Sequence, residues 1–214
     1  MRINKFVALA TGISRRSADE AIEKGHVLID GSVATAGDQV DSSNTVKLDS
    51  KTLEQPDTIT ILLHKPVGYV VSRDGQGSKT VYDLLPKELH GLKPIGRLDK
   101  DSSGLLLLTN DGDMANQLTH PRHQKEKIYE VVLDKPLTTA HQKKIETGVM
   151  LDDGLSNLKL NGSGAEWTVI MFEGRNRQIR RTFAYLGYTL NKLHRTHFGA
   201  YSLDKITEGK FLRY

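Results

Sequence analysis

The chain has 214 residues, of which 37% are hydrophobic and 26% charged, with a net charge of +4. This is the composition of a globular protein with room for one large domain, or a small one beside a medium one. No stretch approaches the roughly 20 apolar residues of a transmembrane helix, and the absence of Cys rules out disulfides and thiolate metal sites.

The first helix is predicted from Ile3, Phe6, Val7 and Ala10, which share one helical face, with Gly12 as its stop. Ser14 is placed to cap a second helix, whose apolar face is Ala18, Ala21 and Ile22 and which Gly25 ends. Asp30-Gly31 between two short apolar runs predicts a hairpin. Ser50 to Asp57 is polar, contains Pro56 and reads as a linker, so the expected domains are 1–55 and 56–214. Residues 1–55 carry 7 Lys and Arg against 8 Asp and Glu, whereas the remainder carries 23 against 18. Glu173 to His197 alone holds six Lys and Arg and one acid, a local cluster suited to phosphate.

TITILLHKPVGYVVS predicts a strand, a Pro-Gly turn and a second strand. RDGQGSKTVYDLLP predicts a loop entering a short helix. The centre of the chain is GRLDKDSSGLLLLTNDGD, from Gly96 to Asp113. Its leucine run, bounded by polar turns, predicts a buried strand, and the charged turn ahead of it stands where a scaffold can present side chains. Met114 to Leu118 makes a helical turn that Pro121 ends. His120 and His123 lack the spacing of a zinc pair, and no metal site is expected.

KIYEVVLD alternates, with Lys127, Tyr129, Val131 and Leu133 on one strand face. DDGLSN and NGSGA read as loops, and WTVIMFEG as a strand. In GRNRQIRRTFAYLGY, Ile179, Thr182, Phe183 and Leu186 form one buried helical face, and Gly187 ends the helix. Arg177, Arg180 and Arg181 point off that face. Strands outnumber helices after residue 56, so the fold class is α+β around a largely antiparallel sheet.

GRLD, the polar stretch, the leucine run and TNDGD together resemble the catalytic signature of pseudouridine synthases, most closely the RsuA/RluB/RluE/RluF family that modifies ribosomal RNA. Lys65-Pro66-Val67-Gly68, KxYxV around Tyr129 and EGRNRQIRR resemble further motifs of that family. His64 stands where the family has Asn, and no role is assigned to it. ISRRSADEAIEKGHVLIDG resembles the S4 RNA-binding module. The resemblance covers nearly the whole chain, although the segment after Tyr201 is not diagnostic. It implies a pseudouridine synthase fold with an RNA cleft, Asp99 as the catalytic carboxylate, Tyr129 lining the active site and Arg180 paired with Asp99. From the S4 likeness, Lys5, Arg15 and Arg16 are expected to touch RNA. Lys65, Arg97 and Arg177 are expected to touch phosphate in the cleft, and Asp101 to be a structural turn residue.

Conversion of uridine to pseudouridine needs no redox step. One ionised carboxylate beside the target nucleotide suffices, and a guanidinium next to it favours the charged form. A base leaving its stack needs an apolar or aromatic wall, which Tyr129 supplies. The expected enzyme is a cofactor-free cytoplasmic monomer with no membrane partner, acting on ribosomal RNA. Two other readings stand beside it. One is a non-catalytic S4-type RNA-binding protein associated with the ribosome. The other is a glycosidase pairing Asp99 with Asp101.

Overall fold

The computed structural model describes residues 1–54 and 57–214. The predicted linker residue Pro56 falls outside the described residues. The chain forms two compact units, Met1–Thr58 and Ile59–Tyr214. Among the described residues no helix is long and apolar enough to cross a membrane.

In the first unit, α1 (Ile3–Thr11) and α2 (Arg15–Glu23) precede a four-stranded antiparallel sheet of β1 (Val27–Ile29), β2 (Ser32–Val33), β3 (Val46–Leu48) and β4 (Lys51–Leu53), in the order β2-β1-β3-β4. Ser14 caps α2, its hydroxyl accepting from the Ser17 amide at 3.0 Å. Ile3, Phe6, Val7, Ala18 and Ile22 close on Val27, Val46 and Leu53 as one core. The predicted hairpin is β1–β2. The predicted linker is partly strand, because Leu53 sits on the apolar phase and β4 pairs with β3.

The second unit holds β5 (Thr60–Lys65), β6 (Lys93–Ile95), β7 (Ser103–Thr109), α3 (Gly112–Thr119), β8 (Lys127–Leu133), α4 (Thr139–Thr147), β9 (Val149–Leu151), β10 (Gly154–Ser156), β11 (Lys159–Ser163), β12 (Glu166–Met171), α5 (Gln178–Tyr185), β13 (Leu190–Phe198), β14 (Tyr201–Ser202) and β15 (Phe211–Arg213). Its main sheet runs β11-β12-β8-β13-β7-β5-β15, with β14 beside β13 and β6 beside β7. Among these pairings β13–β7 is parallel and the rest are antiparallel. The fold is α+β, as its composition of elements predicts.

The leucine run becomes the centre of this sheet. Leu106 and Leu108 face one core with Ile61, Leu63 and Val131, while Leu105 and Leu107 face another with Leu62 and Phe198. A strand buried on both faces must be apolar at every position. Each leucine stabilises the fold by roughly 1.5–3 kcal/mol.

Several predicted elements differ. Tyr69–Val71 forms no strand; Val70 makes a single bridge to Thr80. The short helix after it is a 3-10 turn, Val81–Leu84, begun by a capping box of Thr80 and Asp83. DDGLSN and NGSGA are largely strand, since β9–β10 and β11–β12 are tight hairpins.

Candidate active site

The turn that carries Asp99 is tied down from below. Ser102 donates its amide to the Asp99 carbonyl at 3.1 Å, and the Gly68 amide bonds to the Lys100 carbonyl at 2.7 Å. Lys65, at the end of β5, is fully buried. Its ammonium donates to the carbonyls of Pro66 (3.0 Å), Asp99 (3.0 Å) and Ser102 (2.6 Å). Burial pushes its pKa down to about 8, against the pull of Asp101 and Asp99. The expectation that Lys65 touches phosphate therefore fails: the side chain has no exposed surface, and three carbonyls occupy its donors. Lys65 sets the shape of the turn instead.

Beyond the turn the chain enters β7 through Gly104, at φ +110°. A Cβ there would lie 2.2 Å from the Arg195 carbonyl oxygen. Only glycine lets β7 approach β13 this closely. Gly104 pairs with Arg195, and Arg195 pairs with Tyr129 on β8, so the three stand in one row across three strands.

The start of α5 supplies the cations. Arg177 is its N-cap in a left-handed conformation, φ 44° and ψ 32°, which is uncommon outside glycine. From there its guanidinium reaches Asp99 Oδ2 at 3.3 Å and grips Asp101 with both terminal nitrogens, at 3.1 and 3.0 Å. Arg180 takes a different place. It donates to the Asp101 carbonyl at 2.7 Å and to the Ser102 hydroxyl at 3.2 Å, and its Nε lies 3.3 Å from Asp101 Oδ2. The expected Arg180–Asp99 pair is thus replaced by Arg177–Asp99. One helical turn onward, Arg180 lies behind the aspartate turn and braces Asp101. The bonds from Arg177, assisted by the charge of Arg180, hold the Asp101 carboxyl below its ordinary pKa despite partial burial. A bidentate guanidinium–carboxylate grip of this kind fixes geometry as well as charge.

These residues open on a cleft of about 1080 Å³ within the second unit. Asp99, half-buried, faces it together with Arg97, Tyr129, Arg177 and Arg195. Tyr129 is buried and walls one side, while Arg97 is exposed at the rim. Arg180 does not line the cleft. α5 is held in place by Gln178, whose amide donates to Ser156 (3.1 Å) and to Glu173, and by the Ser156–Thr182 hydroxyl pair at 2.8 Å. In the first unit Arg15 and Arg16 are exposed at the start of α2, where free amide groups favour anions. Arg15 also bonds Asn4 at 3.3 Å, and Lys5 lies half-buried in α1.

Sequence reasoning gave no role to Lys127 or Arg195, which also line the cleft. For Arg195 the signal lay in LHRTHF, an arginine set among apolar residues, where a charge needs a reason. The glycosidase reading had only two acids close in sequence. In the fold Asp101 is bound to two arginines and does not line the cleft, whereas Asp99 does, and the other lining carboxylate, Glu173, is held by Arg175 and Gln178.

A mixed sheet that presents Asp99, paired with a guanidinium, in a basic cleft fits an enzyme that acts on an anionic substrate. Residues 59–185 match the RNA pseudouridylate synthase family, and residues 1–46 match the S4 domain. The dual-specificity RNA pseudouridine synthase RluF of Escherichia coli K12 is 36% identical over 216 residues, spanning 99% of this chain and 74% of that protein. The ribosomal large subunit pseudouridine synthase B of Bacillus subtilis is 34% identical over 218 residues, spanning 97% and 89%. A crystal structure of a pseudouridylate synthase superposes with a TM-score of 0.72 at 31% identity, over 100% of this chain and 96% of that one. The chain belongs to the RNA pseudouridylate synthase family and carries an S4 domain ahead of the synthase domain.

Proposed function

We propose that this protein converts a specific uridine of ribosomal RNA to pseudouridine, with Asp99 as the catalytic carboxylate. The bond between ribose C1′ and uracil N1 breaks, the base turns, and C5 joins C1′. C5 then gives up its proton and N1 gains one, so atoms balance without an external reductant or co-substrate. The observation that carries this reading is the position of Asp99: it faces the cleft, 3.3 Å from Arg177, on a turn that Lys65 fixes from within. Asp99 is then a nucleophile or base whose charge Arg177 supports, Tyr129 walls the flipped base, and Arg97 meets the RNA backbone at the rim.

Residues 1–55 serve as the S4-like RNA-binding domain, with Lys5, Arg15 and Arg16 on the RNA, and 56–214 as the catalytic domain. The protein works in the cytoplasm as a monomer and without a cofactor. The test is tritium release from C5-labelled uridine in ribosomal RNA under single-turnover conditions. Asp99→Asn is nearly isosteric, so it should fold and bind RNA while releasing tritium only at background. Release by that variant at the wild-type rate would overturn the assignment.

A further inference from the structure

Among the cleft cations that the reaction as described does not use, Arg195 and Lys127 stand together. Arg195 is 2% exposed. Its Nε donates to the Leu105 carbonyl at 2.8 Å, but its Nη2 is buried with no acceptor. Lys127, on the neighbouring strand, reaches only two carbonyls, those of Lys125 and Glu173, each at 3.3 Å. Among the described residues no carboxylate lies within ion-pair distance of either. The acid acting on Lys127 is Glu173, whose carboxylate is already committed to Arg175 and Gln178. Both cations lie against the same ring: the Arg195 guanidinium carbon is 4.9 Å and the Lys127 nitrogen 5.0 Å from the centroid of Phe198.

A buried cation without a counter-charge is unfavourable. Ring contacts return only part of this. Two such cations also repel: burial and the charge of Arg195 together push Lys127 down to about 8. An anion between them relieves both the repulsion and the orphaned N–H. A neutral base carbonyl relieves only the N–H.

Resting on the reading of the cleft as an RNA site, we propose that Arg195 and Lys127 form a subsite for a single phosphodiester group of the RNA strand, beside Tyr129. The row Gly104–Arg195–Tyr129 places this subsite between the base wall and the strand that follows Asp99. It fixes the backbone while the base is free to turn, as an isomerase that detaches the base from its ribose requires.

The experiment follows the affinity of the full chain for fluorescein-labelled oligouridylate as potassium chloride is raised from about 50 to 200 mM. Each phosphate contact on a single strand contributes about 0.7 to the slope of log affinity against log salt. Lys127→Met should flatten that slope by about 0.7 relative to wild type, and Lys127→Arg should restore it. If both cations hold one phosphate together, so that losing either releases it, adding Arg195→Gln to Lys127→Met should flatten it no further. Circular dichroism and melting checks guard against misfolding, and the Lys127 arm stands without the double variant. An unchanged slope in Lys127→Met overturns the subsite, as does a second loss of about 0.7 in the double variant. Weaker binding at constant slope assigns the pair to a base carbonyl and also overturns it. None of these readouts needs turnover. A wild type that makes pseudouridine while Lys127→Met keeps the full slope defeats the subsite alone, whereas a wild type that makes none defeats the proposed function.

Discussion

Asp99, Asp101, Arg177 and Arg180 form one compact charge cluster, and the two arginines divide the work. Arg177 touches the cleft carboxylate and Arg180 braces its neighbour. Arg177→Ala should therefore lower single-turnover pseudouridine formation more than Arg180→Ala, by up to about fivefold, since a partly exposed guanidinium–carboxylate pair is worth about 0.2–1 kcal/mol. Arg180→Ala should instead lower the melting temperature, because its guanidinium also bonds a turn carbonyl and a hydroxyl. An Arg180→Ala enzyme slower than Arg177→Ala would reverse the roles. Asp101 makes a separate prediction in acid. Its folded-state pKa lies below the ordinary 3.8, held there first by its bonds to Arg177. The stability it contributes is present above pH 3.8 and is lost as pH falls through the lowered value. Asp101→Asn should melt below wild type at neutral pH, and the two curves should converge as pH drops under about 3.8. A gap that stays constant from pH 7 to pH 2 would show that Asp101 titrates alike in folded and unfolded chains.

Among the elements, the seam between β7 and β13 is the tightest constraint. A methyl on Gly104 meets the Arg195 backbone, not a side chain that could swing away, and the φ of +110° is strained for any other residue. Gly104→Ala should cost roughly 1–3 kcal/mol or more, read as a melting temperature several degrees lower. Activity should fall further than the loss of folded protein explains, because Asp99 hangs on the strand that shifts. An unchanged melting point would mean the seam is looser than it looks. The elements nearest the site were legible in the sequence for physical reasons. The leucine run is apolar at every position because both faces of β7 are buried, and α5 keeps a clean helical face in Ile179, Thr182 and Phe183. β13 was not legible, since NKLHRTHF carries two bulges and an arginine on its apolar phase, so neither period shows. α4 was missed because TAHQKKIET buries little besides Ile145. Arg180 was misassigned because a motif gives the order of residues but not their rotation about the helix axis. Lys65 was misassigned because a lysine at a strand end looks exposed until the next loop folds over it.

In the whole molecule, each unit buries its own core: Ile3, Phe6 and Val27 belong to one, and the leucine strand with Phe183 and Trp167 to the other. A fragment of residues 59–214 should therefore fold cooperatively by itself. It should bind ribosomal RNA more weakly than the full chain, yet at saturating RNA its single-turnover rate should change much less. Unaltered RNA affinity in that fragment would remove Lys5, Arg15 and Arg16 from the RNA interface. The parallel pairing of β7 with β13 has a consequence for synthesis. Gly104 meets Arg195 across some ninety residues of chain, and β15 closes on β5 from still farther away. Strands so distant in sequence pair late, after the entropy of a long loop has been met. A ribosome that has released Asp99, Lys65 and Tyr129 from its exit tunnel has made every residue of the motifs around them and still no catalyst. Arg177 and the seam strand follow later, at roughly 5–20 residues per second, so the nascent chain lacks the guanidinium beside Asp99 until they have emerged.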